Sequence, residues 1–248
     1  MNLMDKKKDD NKGIKLQVFL AKAGIGSRRK CEEYISDGRV SVNGEIVIHQ
    51  GARITDEKVS FDGRLVYTAK KMIYIALNKP VRYLCTSSDP EGRPLAIDLV
   101  KGAWSGRVYN VGRLDFMSSG LIFFTNDGEF TKKVTHPSSG ILKTYLVETR
   151  EDIPREMLDQ WKKGVSIEGV KYKIEEYNLK MPKRVSLTLR EGKNREIRNL
   201  FNSKRFKIKK LHRTRIGNIS LGSLKNGEYR FLTETEVARL LKTGDVRG

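Results

Sequence analysis

The sequence predicts an α+β protein, with a small helical module at the amino end and a larger domain built on a mostly antiparallel mixed sheet with flanking helices. The alternation typical of strands recurs at 72–80, 143–149 and 185–191. One helical pattern, DIPREMLDQWKKGV with Asp152 as its expected cap, lies between two of these strands. Helices and strands do not alternate regularly, which argues against a doubly wound parallel sheet.

The amino-terminal module is predicted to contain two helices followed by a hairpin. Leu16 and Leu20 recur at helical spacing, and Ser27 is suited to cap a second helix. RVSVNGEIVI then predicts a hairpin with its turn at Asn43 and Gly44. The expected organisation is a disordered tail at 1–13, the module at 14–61, a linker at 62–71 and the larger domain at 72–248.

Composition favours a polyanionic partner. The formal charge is +19 and the pI is about 9.9, and no apolar run approaches the roughly 20 residues that span a bilayer. Nucleic acid is therefore the expected partner, and no membrane is expected. The amino end has no signal-peptide pattern, and the two cysteines match no metal or redox spacing, so a reducing, cytoplasmic location is expected.

Cations concentrate in three places. Three of them open the second helix of the module, where they oppose the helix dipole, which indicates a phosphate ligand. Two arginines lie three apart in NREIRNLF, and KRFKIKKLHRTR holds seven cations and no acid, which predicts a strand with a cationic outer face. An ordinary solvated basic surface is the alternative interpretation for each cluster.

A single carboxylate, Asp115, interrupts this basic pattern in the stretch VGRLDFMSSGLIFFTNDGEF. Gly112 and Gly120 bracket the segment, and LIFFT predicts a buried strand, so Asp115 is expected on a loop anchored by the core. The three histidines show no metal spacing, and the sequence has neither a GxSxG motif nor a Walker loop. What remains is a reaction without metal or cofactor that uses Asp115.

Two resemblances organise these observations. LQVFLAKAGIGSRRKCEEYISDGRVSVNG resembles an S4 domain, an RNA-binding module. VGRLDFMSSGLIFFTNDGE, LKTYLVE and LREGKNREIRNLF, in this order, resemble the motifs of pseudouridine synthases of the RsuA/RluB family, and DPEGRP and LHRTRIGNISLGSL fit the same group. The resemblance covers nearly the whole chain. Ser118 departs from it, because the family usually has threonine there, but the hydroxyl is kept.

The resemblance implies an enzyme that breaks the N1–C1′ bond of a uridine in RNA, turns the base and rejoins it through C5. Asp115 matches the essential aspartate, which could act as nucleophile, base or electrostatic partner. Tyr145 matches the active-site tyrosine, and Arg198 the arginine that pairs with the aspartate, with Arg195 as the second choice. Arg113 resembles the residue that replaces the flipped base. The residues expected to contact RNA are Arg28, Arg29, Lys30, Arg113, Arg195, Lys207, Lys209 and Arg213.

The expected substrate is a ribosomal RNA stem-loop, and the wording of the motifs favours 23S over 16S rRNA. No cofactor is expected, since the reaction is an isomerisation, and the protein is expected to be a monomer. Three alternatives stay open: a 16S rRNA enzyme, a non-catalytic ribosome-associated S4 protein, and a DNA-binding protein. The last has no recognisable recognition helix.

Overall fold

The computed structural model describes residues 13–68 and 71–243. The chain divides into two compact units, the first ending at Met72 and the second beginning at Ile73. The predicted disordered tail lies outside the described residues except for Gly13, as do residues 69–70 of the predicted linker.

The first unit contains two helices and six short strands among its described residues. They are β1 (Ile14–Lys15), α1 (Leu16–Lys22), α2 (Arg28–Ser36), β2 (Val40–Val42), β3 (Glu45–Ile46), β4 (Arg53–Ile54), β5 (Val59–Phe61) and β6 (Arg64–Leu65). Strands β3, β2, β5 and β6 form an antiparallel sheet, and β1 pairs with β4. The predicted helix, helix and hairpin are present, and the Ser27 hydroxyl caps α2 by accepting from the Lys30 amide at 3.1 Å.

The linker predicted from residue 62 begins later in the structure. Asp62 and Gly63 form a turn after β5, and Arg64–Leu65 returns as β6 along the same sheet. Val66 belongs to the first unit's core, together with Leu16, Leu20 and Val59. Residues 62–66 are therefore part of the folded unit, because the apolar Val66 side chain is buried there.

The second unit holds eleven strands and four α-helices among the residues that the structure describes. They are β7 (Tyr74–Lys79), β8 (Tyr109–Val111), β9 (Ser119–Thr125), α3 (Gly128–Thr135), β10 (Lys143–Thr149), α4 (Arg155–Lys163), β11 (Val165–Ile167), β12 (Val170–Tyr172), β13 (Glu176–Met181), β14 (Arg184–Leu189), α5 (Glu196–Ser203), β15 (Ile208–Ile216), β16 (Ile219–Ser220), β17 (Tyr229–Phe231) and α6 (Glu234–Thr243). Two 3₁₀ helices, Ala96–Ala103 and Pro137–Ser139, complete this unit.

One large sheet dominates the second unit. Its strand order is β13, β14, β10, β15, β9, β7 and β17, with β8 paired to β9 and β16 to β15. Within the described ranges only β9 and β15 run parallel, and every other pair in this sheet is antiparallel. The predicted α+β class with a mostly antiparallel mixed sheet is confirmed. Among the described residues, no helix combines the length and apolar character that a membrane span requires.

Both faces of this sheet are covered, which explains why residues 121–124 of β9 are all apolar. Ile122 and Phe124 pack in a core cluster that includes residues of α4 and α5, while Leu121 and Phe123 pack in a second cluster with residues of α3 and α6. Strand side chains alternate between faces, so a strand with two buried faces needs apolar residues at successive positions. The loop that follows β8 therefore leads directly into β9, a strand whose residues are all buried.

One helix start differs from the prediction. Helix α4 begins at Arg155, and Pro154 occupies the cap position without a side-chain hydrogen bond. Asp152, the predicted cap, lies 3.7 Å from the Lys183 ammonium instead. Proline disfavours helical backbone in the preceding residue, which separates Asp152 from the helix. Helix α5 begins at Glu196, and Arg195 precedes it with a left-handed φ of 51°.

Candidate active site

The loop between β8 and β9 carries Asp115 and is held from two sides. Leu114 is buried in the core, and its amide donates to the Cys85 sulfur at 3.4 Å. The Ser118 amide donates to the Asp115 carbonyl at 3.0 Å, and the Arg82 amide to the Phe116 carbonyl at 2.6 Å. Since these contacts fix the backbone on both sides of Asp115, the carboxylate is presented by a rigid loop.

The Asp115 carboxylate lies beside two arginines. Its Oδ2 atom is 3.3 Å from Arg198 Nε and 3.8 Å from Arg195 Nη1. Arg198 also donates through Nη2 to the Met117 carbonyl at 2.8 Å and to the Ser118 hydroxyl at 3.0 Å. The Arg198 side chain is 14% exposed and the Arg195 side chain 52% exposed. Arg198 is therefore the closer and better fixed partner, and the Ser118 hydroxyl serves to hold it.

Tyr145 lies directly opposite Arg213 on the neighbouring strand β15. The Arg213 guanidinium donates through Nε to the Leu121 carbonyl at 2.6 Å and through Nη1 to the Tyr145 hydroxyl at 3.4 Å. Both residues are buried, Arg213 to 4% exposure. Tyr145, which was predicted at the active site, thus accepts a hydrogen bond from Arg213, which was predicted among the RNA contacts.

Arg213 is buried and does not lie on the cationic outer face predicted for KRFKIKKLHRTR, whereas Lys207 and Lys209 are exposed as expected. The reason is a register shift, because Glu148 pairs with Lys210 and the next residue, Thr149, with Ile208. Lys209 is thus an extra residue in the ladder, and one extra residue moves the side chains that follow to the other face. Arg213 accordingly lies on the inner face.

Gly120 allows β9 to approach Arg213 closely. It pairs with Arg213 in the parallel register and has a φ of 105°. A Cβ atom at this position would lie 2.2 Å from the Arg213 carbonyl oxygen, which is a severe overlap. The glycine at the end of the Asp115 segment thus lets the β9 and β15 backbones meet and sets the position of Arg213.

The Asp115 loop borders a cavity of about 270 Å³. Its lining includes Asp115, Tyr145 and Arg213, together with the apolar residues Leu189, Leu211 and Ile216. Arg113 is exposed at this cavity, and the structure shows no hydrogen bond or ion pair of its side chain among the described residues. The cavity therefore brings together a carboxylate, a tyrosine and several cations around an apolar wall.

Two lining residues, Lys143 and Glu196, were not predicted from the sequence. Burial and the neighbouring Arg213 lower the pKa of Lys143 to about 8. Glu196 is 5% exposed and accepts from the Lys193 amide at 3.1 Å, and burial raises its pKa. The two-residue spacing of Lys143 and Tyr145 on a predicted strand could have placed Lys143 on the same face, whereas no sequence signal indicated that Glu196 is buried.

The cations of the first unit are arranged differently. Arg28, Arg29 and Lys30 are exposed at the start of α2, and the Lys30 ammonium lies 2.6 Å from Glu33 and 5.1 Å from the centre of the Tyr34 ring. Lys30 therefore has local partners that offset part of its unfavourable position. The structure shows none for the side chains of Arg28 and Arg29 among the described residues.

Comparison with protein families identifies both units. A family model described as RNA pseudouridylate synthase matches residues 73–203, more than half of the chain, and an S4 domain model matches residues 14–58. The chain belongs to the RNA pseudouridylate synthase family. The prediction of a pseudouridine synthase, an isomerase that carries an S4 domain at its amino end, is thereby confirmed.

Individual relatives agree with this family. An uncharacterized RNA pseudouridine synthase of Borreliella burgdorferi is 41% identical, with 94% of this chain and 97% of that protein covered. The ribosomal large subunit pseudouridine synthase B of Bacillus subtilis is 36% identical, with coverage of 93% and 97%. A crystal structure of a pseudouridylate synthase matches with a TM-score of 0.68 and 28% identity, covering 92% of this chain and 100% of that one.

Proposed function

We propose that this protein isomerises one uridine of ribosomal RNA to pseudouridine, that the RNA is a stem-loop of 23S rRNA, and that the reaction depends on Asp115. The observation that carries the proposal is the Asp115–Arg198 contact of 3.3 Å at a cavity that also presents Tyr145. The arginine orients the Asp115 carboxylate at the cavity, where a carboxylate can attack a sugar carbon or stabilise a positive centre.

The remaining residues have separate roles in this proposal. The target uridine leaves its stack and enters the cavity, and the exposed Arg113 fills the gap with its planar guanidinium. Tyr145 packs against the flipped base. Arg198 orients Asp115, with Arg195 as a weaker partner at 3.8 Å. The protein's own side chains supply these contacts, the reaction takes no cofactor, and the protein acts as a monomer.

Docking of the RNA is assigned to exposed cations outside the cavity. In the first unit, Arg28 and Arg29 lie beside the free amides at the start of α2, an arrangement suited to a phosphate. In the second unit, Lys207 and Lys209 are exposed near the start of β15. Contacts to phosphate fix the register of the RNA but carry little sequence information, so the choice of uridine depends on the shape of the stem-loop.

The name of the Bacillus subtilis relative supports the large subunit as the source of the substrate. The test is to incubate the protein with purified 23S and 16S rRNA lacking pseudouridine, and to map products by carbodiimide treatment and primer extension. We expect one modified position in 23S rRNA and none in 16S rRNA. The opposite pattern would indicate an enzyme that modifies the small-subunit RNA. No product in either RNA would indicate a non-catalytic RNA-binding protein.

The variant Asp115→Asn tests the essential role within the same assay. It keeps the volume and hydrogen bonding of the side chain and removes the charge, so we expect RNA binding to be retained and the rate to fall by at least about 10³-fold. A rate near that of the wild type would show that another group carries the reaction.

A further inference from the structure

Three polar side chains share one face of the sheet in the cavity wall. Lys143 and Tyr145 are two residues apart on β10, and Arg213 is directly opposite Tyr145 on β15. Because strand side chains alternate between faces, Lys143 and Tyr145 lie on the same side of the sheet. All three line the cavity, next to the apolar side chains of Leu189 and Ile216.

The Arg213 guanidinium is incompletely paired. Its Nε and Nη1 atoms donate to the Leu121 carbonyl and the Tyr145 hydroxyl, but Nη2 is buried and has no hydrogen-bond partner among the described residues. A buried donor without an acceptor costs free energy, and most buried polar groups in native proteins are satisfied. An acceptor supplied by a ligand would explain why this donor is kept.

Lys143 adds a second cation to the same wall. Its ammonium donates to the Ile141 carbonyl at 3.2 Å, which leaves two of its three hydrogens without a recorded partner among the described residues. The nearby Glu196 is one buried acid beside two cations, so it offsets their positive charge only in part. The wall therefore combines unused donors with excess positive charge and is suited to an anionic ligand.

The apolar surroundings favour a planar base over a phosphate as that ligand. Leu189, Leu211 and Ile216 line the same cavity, whereas a phosphate keeps most of its hydration and is better served by exposed cations. A uracil fits such a wall, and it becomes anionic during the reaction proposed above. When the C1′–N1 bond breaks, its electron pair stays on the base, and the charge spreads over N1, O2 and O4.

We propose that Arg213 and Lys143 are catalytic residues that stabilise the detached uracil anion through hydrogen bonds to its oxygens. The inference rests on the proposed function. No proton leaves the base in this step, and the electron-poor C1′ stays beside the Asp115 carboxylate. The base then turns, and C5 bonds to C1′ with electrons of the anion. The C5 proton is lost and N1 is protonated, so the product is an isomer of the substrate.

The test compares uridine and 5-fluorouridine at the target position of the RNA, in single-turnover reactions at saturating enzyme. Fluorine withdraws electrons and stabilises the base anion by itself, so the fluorinated RNA depends less on protein donors. We expect Arg213→Gln and Lys143→Met to slow loss of the uridine N-glycoside by about 10² to 10³-fold, the usual effect of losing one such donor. With 5-fluorouridine at the target position, the same variants should slow this cleavage by only roughly tenfold or less. The readout is the amount of N-glycoside in nuclease digests.

Arg215→Gln is the matched control, because Arg215 is exposed two residues further along the same strand, and its rates should equal those of the wild type. Equal decreases in the single-turnover rate with both RNAs would overturn the inference, because the effect of a merely structural role does not depend on whether the departing base is uracil or 5-fluorouracil. Weaker RNA binding with unchanged single-turnover rates would also overturn it, by assigning the two cations to a phosphate. Should Arg213→Gln fail to fold, Lys143→Met decides by the same comparison. Absence of product with the wild type would instead refute the proposed function.

Discussion

The two units of the chain hold their cations in opposite ways. In the first unit Arg28 and Arg29 are exposed at a helix start and make no contact that the structure shows among the described residues. In the second unit Arg213 is buried and Arg198 is only 14% exposed, and both are held by carbonyl or hydroxyl oxygens. Exposed cations attract a polyanion over a distance and release counterions on binding. Buried cations lose mobility and act on specific atoms. The first arrangement suits docking, and the second suits chemistry.

The largest expected effect separates the less exposed from the more exposed of two cations at the same carboxylate. Replacing Arg198 by Met removes the 3.3 Å contact with Asp115 and both backing hydrogen bonds, and we expect the single-turnover rate to fall by about 10²-fold or more. Replacing Arg195 by Met removes an exposed contact of 3.8 Å, and we expect less than about tenfold. Equal decreases in rate for the two variants would show that the closer contact and lower exposure of Arg198 do not matter for the reaction.

A smaller effect concerns stability. Lys143 has a pKa of about 8 in the folded protein against a usual 10.5, so the charged form is disfavoured by folding. Below pH 8 the ammonium is charged in both states and destabilises the fold, and Lys143→Met should raise the free energy of unfolding by roughly 2 kcal/mol at pH 7.

The sign of the pH dependence follows from the same shift. Between pH 8 and 10.5 the unfolded state binds more protons at Lys143 than the folded state, so the wild type gains stability relative to Lys143→Met as pH rises. Urea unfolding of both proteins at pH 7 and pH 10 would measure this, and the difference between them should shrink at the higher pH. A constant difference would show that the ammonium is not desolvated.

The smallest expected effect lies in the first unit. Replacing Arg28 and Arg29 together by Gln removes two exposed charges without removing a recorded contact, so stability and the rate at saturating RNA should stay unchanged. The slope of log affinity against log salt should become shallower by about 1.5, the share of two phosphate contacts. The exposed pair Lys132→Gln and Lys133→Gln on α3 is the control. Identical slopes for both double variants would assign RNA docking to overall charge.

Local patterns in the sequence were enough to predict the elements that depend on nearest neighbours. The Ser27 cap and the hairpin turn at Asn43 follow from side-chain chemistry within a few residues. The contact of Asp115 with Arg198 joins residues 83 apart and was expected only because ordered motifs resemble a family. The α4 cap was predicted at the wrong residue because Pro154 shifts the helix start.

The position of Arg213 shows where local reasoning ends. Alternation along KRFKIKKLHRTR predicts one exposed face only if the strand stays in register, and the extra residue at Lys209 depends on the partner strand β10. The Arg213 bond to the Leu121 carbonyl spans 92 residues and has no signature in either segment. Long-range pairing therefore decides which cations of this segment are exposed and which line the cavity.

Strands β9 and β15 pair over only two positions, His212 with Ser119 and Arg213 with Gly120. At the next residue of β9 the Leu121 carbonyl accepts from the Arg213 side chain at 2.6 Å. The guanidinium thus extends the contact between the two strands beyond their paired residues, while its Nη1 atom donates to the Tyr145 hydroxyl. One side chain thus bonds across the strand junction and also lines the cavity. A substitution that altered catalysis there would also loosen the join between the two halves of the sheet.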